Sequence, residues 1–367
     1  MTQKLFTLGP VEMFEYTRER PLGPLPYFRT EAFSKINLEC AARLKRLANA
    51  PGDSHVLLLA CSGTGAMEAV VGGCFSENDR LAVIDGGGFG HRFAELAAHH
   101  GIPYEAVKLA FGETLGGDAL AAAASASPGG GFAGLLINHH ETSTGQLYDL
   151  DMASGFCSSH DLYLVCDAIS SFLADGLDFS AQCIDALIVS SQKALALPPG
   201  LSAVILSDRL WEKIGREKIR PFSLYFDLTG AELDARRGQT PFTPAGGLIL
   251  ALRDRLERIE EEGGYGAAVT RVSALARDFR ARIAGLIEKG LLGLPGHPLS
   301  NACTPLVFPG GGAKAVCEKL AGEHDVWLNP CGGELADKVL RVGHLGALAE
   351  ADNEMLAGLL SKILWKA

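Results

Sequence analysis

Residues 162–193 read LYLVCDAISSFLADGLDFSAQCIDALIVSSQK. Two uninterrupted apolar runs are embedded in this stretch, Leu162–Cys166 and Ala186–Val189. A short apolar run without polar alternation marks a strand covered on both faces, as in a parallel sheet. Each run delivers a charge at its carboxyl end, Asp167 directly and Lys193 a few residues later. In an open parallel sheet that end is where ligands bind.

Working outward, runs of the same kind occupy His55–Cys61, Leu81–Asp85, Gly134–Asn138 and Ala203–Ser207. Helix-like stretches lie between them, at Ala66–Cys74, Arg92–Gly101 and Asp118–Ala126. Such alternation predicts an α/β fold with a mainly parallel sheet. After about residue 245 the pattern changes. Leu248–Glu262 and Ala267–Lys289 read as long amphipathic helices, followed by a smaller strand and helix region. The expected division is a large domain over residues 1–255 and a smaller C-terminal α/β domain over 256–367. The N-terminal segment is free to pack with the small domain. The biased stretch Ala121–Gly131 reads as a helix end and a surface loop.

The chain of 367 residues carries 43 acidic and 33 basic side chains, a net charge of −10. That balance repels phosphate polymers and anionic lipid, so neither nucleic acid nor membrane is an expected partner. No apolar run approaches the ~20 residues that cross a bilayer. The N-terminus has no apolar signal core. Nine cysteines occur without a CxxC pair, several inside apolar runs, as buried reduced thiols do. A cytoplasmic protein is expected.

The residues after each run are unusually polar. Ser62-Gly63-Thr64-Gly65-Ala66 opens a helix, and its amides and dipole suit a phosphate, although any tight strand-to-helix turn looks similar. Phe89 stands among Gly86, Gly87, Gly88 and Gly90, where a ring either covers a flat ligand or pins a loop. His139-His140-Glu141 fits no zinc spacing, so no metal is expected. The hydroxyls of Thr142, Ser143 and Thr144 suit hydrogen bonds to a ligand. Asp167 is costly in an apolar setting without a cation, unless it merely caps a helix. Lys193, if desolvated, loses its proton readily and attacks carbonyls; otherwise it snorkels to solvent. In this order the residues meet the needs of pyridoxal 5′-phosphate: a lysine for the aldehyde and an acid for the ring nitrogen.

These motifs make the chain resemble the class V aminotransferases, of the fold-type I pyridoxal phosphate enzymes. The segments that carry the resemblance are SGTGAMEAV, GGGFGHR, HETSTGQL, DAISSF, SQKALALPPG, GQTPFTPA and RVGHLG, together with Leu8-Gly9-Pro10. The resemblance implies a large domain with a seven-stranded sheet, a small C-terminal domain, and a homodimer with shared active sites. It implies that Lys193 is the Schiff-base lysine and proton shuttle, and that Asp167 pairs with the ring nitrogen. Ile169 would pack under the ring and Phe89 over it, with Thr142 at the phenolic oxygen. Thr64, Gly65, Ala66 and Gln192 would hold the phosphate, and Thr243 would reach the phosphate in the neighbouring subunit. Arg341 would bind the substrate's acidic group, with Gly9 on the substrate side. Arg29, in a loop that departs from the family pattern, is either a second anion clamp or a surface arginine.

Within the class the chain looks most similar to the 2-aminoethylphosphonate–pyruvate transaminases. The implied partners are a small anionic amine as donor and a 2-oxo acid as acceptor. Alanine– or serine–glyoxylate aminotransferases are the alternative. The loop from Pro24 to Phe33 departs from the phosphonate enzymes, which puts the substrate and not the cofactor in question. Cys331, ten residues before Arg341, raises a cysteine desulfurase as a rival. Against it stands Phe89, where desulfurases carry a histidine.

Overall fold

The computed structural model describes residues 3–19, 25–126 and 131–365. Residues 127–130 of the expected surface loop, and Pro24 of the departing loop, lie outside the described residues.

Fourteen strands are described. They are β1 (Lys4–Leu5), β2 (His55–Leu59), β3 (Leu81–Asp85), β4 (Tyr104–Lys108), β5 (Gly134–Asn138), β6 (His140–Glu141) and β7 (Gln146–Leu147). Then come β8 (Tyr163–Asp167), β9 (Ala186–Ser190), β10 (Ser202–Leu206), β11 (Cys303–Val307), β12 (Val326–Trp327), β13 (Asn329–Pro330) and β14 (Val339–Gly343). Seven form the main sheet in the order β2–β10–β9–β8–β5–β3–β4. Its pairings are parallel except at β10, which runs antiparallel to both β2 and β9.

The alternation hidden inside the apolar runs now has a cause. Leu135, Ile137, Leu164, Cys166, Leu187 and Val189 point into one core, which includes the helix Glu31–Ala48. Leu136, Val165, Ala186 and Ile188 point into another, closed by the helix Gly63–Cys74. Both faces are dry, so both sets of positions are apolar. Six of the seven strands fall on the expected runs. The seventh, β4, is an edge strand whose sequence YEAVK is half exposed, so it carries no continuous apolar run.

A third core gathers Phe6, Leu275, Phe279, Leu306, Val342 and Leu356 around the three-stranded sheet β11–β14–β13. The helix expected over 267–289 is two helices, Gly264–Arg282 and Ala284–Glu288, separated at the fully buried Ile283. The first is shared between cores: Val272 belongs to the first and Leu275 and Phe279 to the third.

The N-terminal segment joins this C-terminal region. β1 pairs in parallel with β12, and the Gly343 amide donates to the Phe6 carbonyl at 2.7 Å. From there the chain runs directly to the carboxyl ends of the main strands. Among the described residues, no helix is long and apolar enough to cross a membrane.

Phe6 is fully buried, so Phe6→Ala should cost about 3–5 kcal/mol. A lowered urea midpoint would show it. Activity should fall as well, because Leu8 and Gly9 are set by the same segment.

Candidate active site

Eight of the expected site residues share one cavity at the carboxyl ends of the main strands. Gly9, Thr64, Phe89 and Thr142 line it, with Asp167, Ile169, Gln192 and Lys193. Its volume is about 190 Å³, far beyond the ~10–15 Å³ that one water requires.

Asp167 ends β8 and is 5 % exposed. Its Oδ1 accepts from the Ile169 amide at 2.8 Å. Burial pushes its carboxyl up to about 7, although that amide and the charge of Lys193 both pull it down. Lys193 follows β9. Burial lowers its ammonium to about 8, Asp167 opposes the fall, and Arg341 adds to it. Its Nζ donates to the carbonyl of Leu8. The opposite charges therefore share one poorly solvated space, and each moves toward neutrality.

The first turn of the helix Gly63–Cys74 forms another wall. Ser62 caps it, its Oγ accepting from the Gly65 amide at 3.3 Å. Gly65 and the fully buried Ala66 thus sit one step behind Thr64. Gly63 has no room for a side chain, because a Cβ there would lie 2.5 Å from Ile169 Cδ1. At the opposite side Gly9 holds a φ of +139°, and its Cβ position is only 2.8–2.9 Å from the Lys193 side chain. A residue other than glycine would both strain the backbone and collide with the lysine.

Thr142 is buried, with its Oγ1 2.6 Å from Ser170 Oγ. Ser190 Oγ donates to Gln192 Oε1 at 2.7 Å, which steadies Gln192 at the wall. Arg341, on β14, stands just behind Thr142. Its Nη1 donates to the Thr142 carbonyl and its Nη2 to the Pro330 carbonyl, both at 2.8 Å. Its buried Nε has no acceptor among the described residues.

Two expected residues lie elsewhere in the chain. Arg29 is exposed and clips to the loop at residues 239–241, donating to Gln239 Oε1 at 3.1 Å and to the Thr240 carbonyl at 2.9 Å. Thr243 lines a separate groove with Tyr225 and Phe242, whose rings stack 5.4 Å apart.

The fully buried Glu141 has a positioning role that the sequence reading did not assign to it. Its Oε2 accepts from the amides of Gly90 at 2.8 Å and Phe89 at 3.1 Å. Its Oε1 accepts from the amide and hydroxyl of Ser143 at 2.9 and 2.6 Å. One carboxylate thus seats the start of the helix Gly88–His99, which carries Phe89, against the loop that carries Thr142. The signal for this was present in the sequence: an acid three residues past the apolar run that ends at Asn138. The flanking His139 and His140 are buried, and burial drives both imidazoles down, His139 to about 3.

A seven-stranded, mainly parallel sheet with a buried lysine and aspartate at its strand ends is the arrangement of the fold-type I aminotransferases. The sequence profile of the aminotransferase class-V family matches residues 29–321, and the chain belongs to that family. It is 31 % identical to the soluble hydrogenase 42 kDa subunit of Anabaena cylindrica over 339 residues, 91 % of this chain and 85 % of that protein. It is 27 % identical to the 2-aminoethylphosphonate–pyruvate transaminase of Vibrio vulnificus, over 98 % of this chain and 97 % of that one. Its fold matches the alanine–glyoxylate aminotransferase of Nostoc sp. with a TM-score of 0.90 and 25 % identity, over 99 % and 96 % of the two chains.

Glu141→Gln removes the charge behind hydrogen bonds from five donors, the Asn138 side-chain amide included, and should cost about 1.5–3 kcal/mol. Thermal unfolding of the cofactor-free protein would report that loss.

Proposed function

We infer that the chain is a pyridoxal 5′-phosphate-dependent aminotransferase acting on a small amine with one anionic group and on a small 2-oxo acid. The observation that carries this reading is the buried pair Asp167 and Lys193 facing one cavity. An isolated buried carboxylate is expensive. The cation that would relieve it is a protonated ring nitrogen lodged between Phe89 and Ile169.

The residues present fit the cofactor. Thr64 and the first turn of its helix offer hydroxyl and amide donors to a phosphate. Thr142 offers a hydroxyl, and Gln192 is held at the same wall. When bound, the cofactor supplies an aldehyde and an electron sink for the bonds at the substrate's α-carbon. Asp167 would face the ring nitrogen and favour its protonated form. Lys193, its ammonium lowered by burial, would be the amine that holds the aldehyde and the base that moves the substrate's proton. Gly9 leaves room for that side chain to swing. Arg341, behind the cavity, would offer a carboxylate or phosphonate the guanidinium N–H groups not given to the Thr142 and Pro330 carbonyls.

A single guanidinium behind the cavity favours a substrate with one acidic group. The donor we place first is 2-aminoethylphosphonate, with pyruvate as acceptor. This is supported by the similarity to the Vibrio enzyme across nearly both chains. Alanine or serine with glyoxylate is the second reading, supported by the match to the Nostoc structure. A desulfurase role for Cys331 is disfavoured. Its thiol is 7 % exposed, donates to the Ser143 carbonyl at 3.2 Å, and is pushed up by burial, so the nucleophilic thiolate is scarce.

The homodimer belongs to the same reading. Leu224, Tyr225, Leu233 and Phe242 are exposed apolar side chains, and Tyr225 and Phe242 line the same groove as Thr243. Covering them with a second copy would let Thr243 serve the partner's cavity, and Arg29 with it.

Supplied with pyruvate, the protein should convert 2-aminoethylphosphonate and release alanine. Turnover of alanine or serine with glyoxylate, and none of the phosphonate, would overturn the substrate. Lys193→Ala should retain the cofactor yet lose roughly 10²–10⁴-fold in rate; full activity would overturn the whole reading.

The pH dependence follows from Asp167. Folded, it keeps its proton up to about 7; unfolded, it releases the proton near 3.8. The cofactor-free protein therefore loses stability as pH rises between those values. A bound ring cation removes that penalty. Cofactor should raise the melting temperature more at pH 8 than at pH 5.5, with affinity falling about tenfold or more on acidification. Asp167→Asn should flatten this trend.

A further inference from the structure

A second cavity, of about 330 Å³, is bounded by Phe14, Ala194, Arg255, Glu262, Gly264 and Arg271. It touches the loop after Lys193 but shares no lining residue with the catalytic cavity. Arg255 is 5 % exposed. Its Nε donates to the Leu195 carbonyl at 3.3 Å and its Nη1 to the Tyr16 hydroxyl at 2.9 Å. Arg271 gives its Nη2 to the carbonyls of Gly346 and Leu348, both at 2.9 Å. Among the described residues, Arg255 Nη2 and Arg271 Nη1 and Nε have no acceptor.

Both guanidinium groups lie over one ring. Their Cζ atoms are 4.4 Å and 5.4 Å from the Phe14 centroid. A third, Arg258, lies over Tyr16, which stacks on Phe14. The sole acid at the wall is Glu262, which is 60 % exposed and 3.7 Å from Arg255. Two positive charges thus face one negative at the wall, Arg255 buried and Arg271 exposed. Like charges held side by side repel unless an anion lies between them. The helix Gly264–Arg282 adds to the field. It begins at the cavity wall after Gly263, at a φ of +106°, and no side chain caps its first amides.

We propose that this cavity binds a small phosphate-bearing anion, held by Arg255 and Arg271 and distinct from the positions of cofactor and substrate. A planar fork with free N–H groups is the usual partner of phosphate oxygens. The volume exceeds that of a bare phosphate, which leaves space for an organic portion. The anion would lie where three parts of the chain converge: the Phe14–Tyr16 segment, the loop after Lys193, and the loop after β14.

The test uses the holoenzyme, whose cofactor phosphate already fills its own cradle. Inorganic phosphate and glycerol 3-phosphate are titrated at constant ionic strength, against chloride as control. The expected result is a rise of about 2–5 °C in melting temperature at roughly 100-fold excess over Kd. A larger rise with glycerol 3-phosphate identifies an organic phosphate as the occupant, and a larger rise with inorganic phosphate identifies the free ion. Arg271→Met should abolish the rise, and Arg341→Met should keep it. As a second variant, Ala267→Glu places a carboxylate at the same wall without removing an arginine. It should stabilise the phosphate-free protein and silence the response. The proposal fails if chloride stabilises equally, if the rise survives Arg271→Met and Ala267→Glu, or if it disappears only in Arg341→Met. The arginines would then serve only to fasten the N-terminal segment.

Discussion

The structure depends on one expense, the burial of opposite charges at the ends of two adjacent strands. Asp167 closes β8 and Lys193 follows β9, and neither is well solvated. Two charges taken from water repay their desolvation only in good geometry. In the cavity each is left short of partners: Asp167 accepts one backbone amide, and Lys193 donates to one carbonyl. The fold holds them there because the sheet is packed on both faces and cannot let its strand ends drift. That shortage leaves both groups with hydrogen-bonding capacity directed into the cavity.

The surrounding elements serve that arrangement. The segment after β1 is stitched to β12 and β14, and so brings the Leu8 carbonyl to Lys193. Glu141 uses its carboxylate to lock the Phe89 helix to the Thr142 loop. Arg341 reaches from the three-stranded sheet to the Thr142 carbonyl. Backbone carbonyls and amides thus hold most of the charged side chains near the site, so their geometry is set by main-chain positions and not by flexible partners.

Much of this was legible in the sequence, for identifiable reasons. The central strands were visible because burial on both faces leaves an unbroken apolar run. Edge strand β4 was not, because solvent on one side admits Glu105 and Lys108. Asp167 and Lys193 were legible because a charge at, or a few residues past, the end of an apolar run is conspicuous. Glu141 had the same signature, but the histidines before it drew attention to metal binding. Arg29 and Thr243 lie outside the cavity of a single chain, where a residue that serves a neighbour would stand. The arginine cluster was invisible, since Phe14, Arg255 and Arg271 are brought together only by the fold.

The one reversed strand has a consequence for how the protein is made. β2 borders only β10 in the sheet, so it has no partner until β10 exists. Between Leu59 and Ser202 the ribosome must add 202 − 59 = 143 residues. At roughly 5–20 residues per second that is about 7–30 s. Throughout this interval the segment His55–Leu59, with its four consecutive apolar residues, emerges as an unpaired strand. The nascent chain therefore carries its own window of exposure to chaperones and to aggregation. That window closes only when the segment bearing Lys193 has also been synthesised, so the sheet edge and the buried lysine are completed in the same stage of translation.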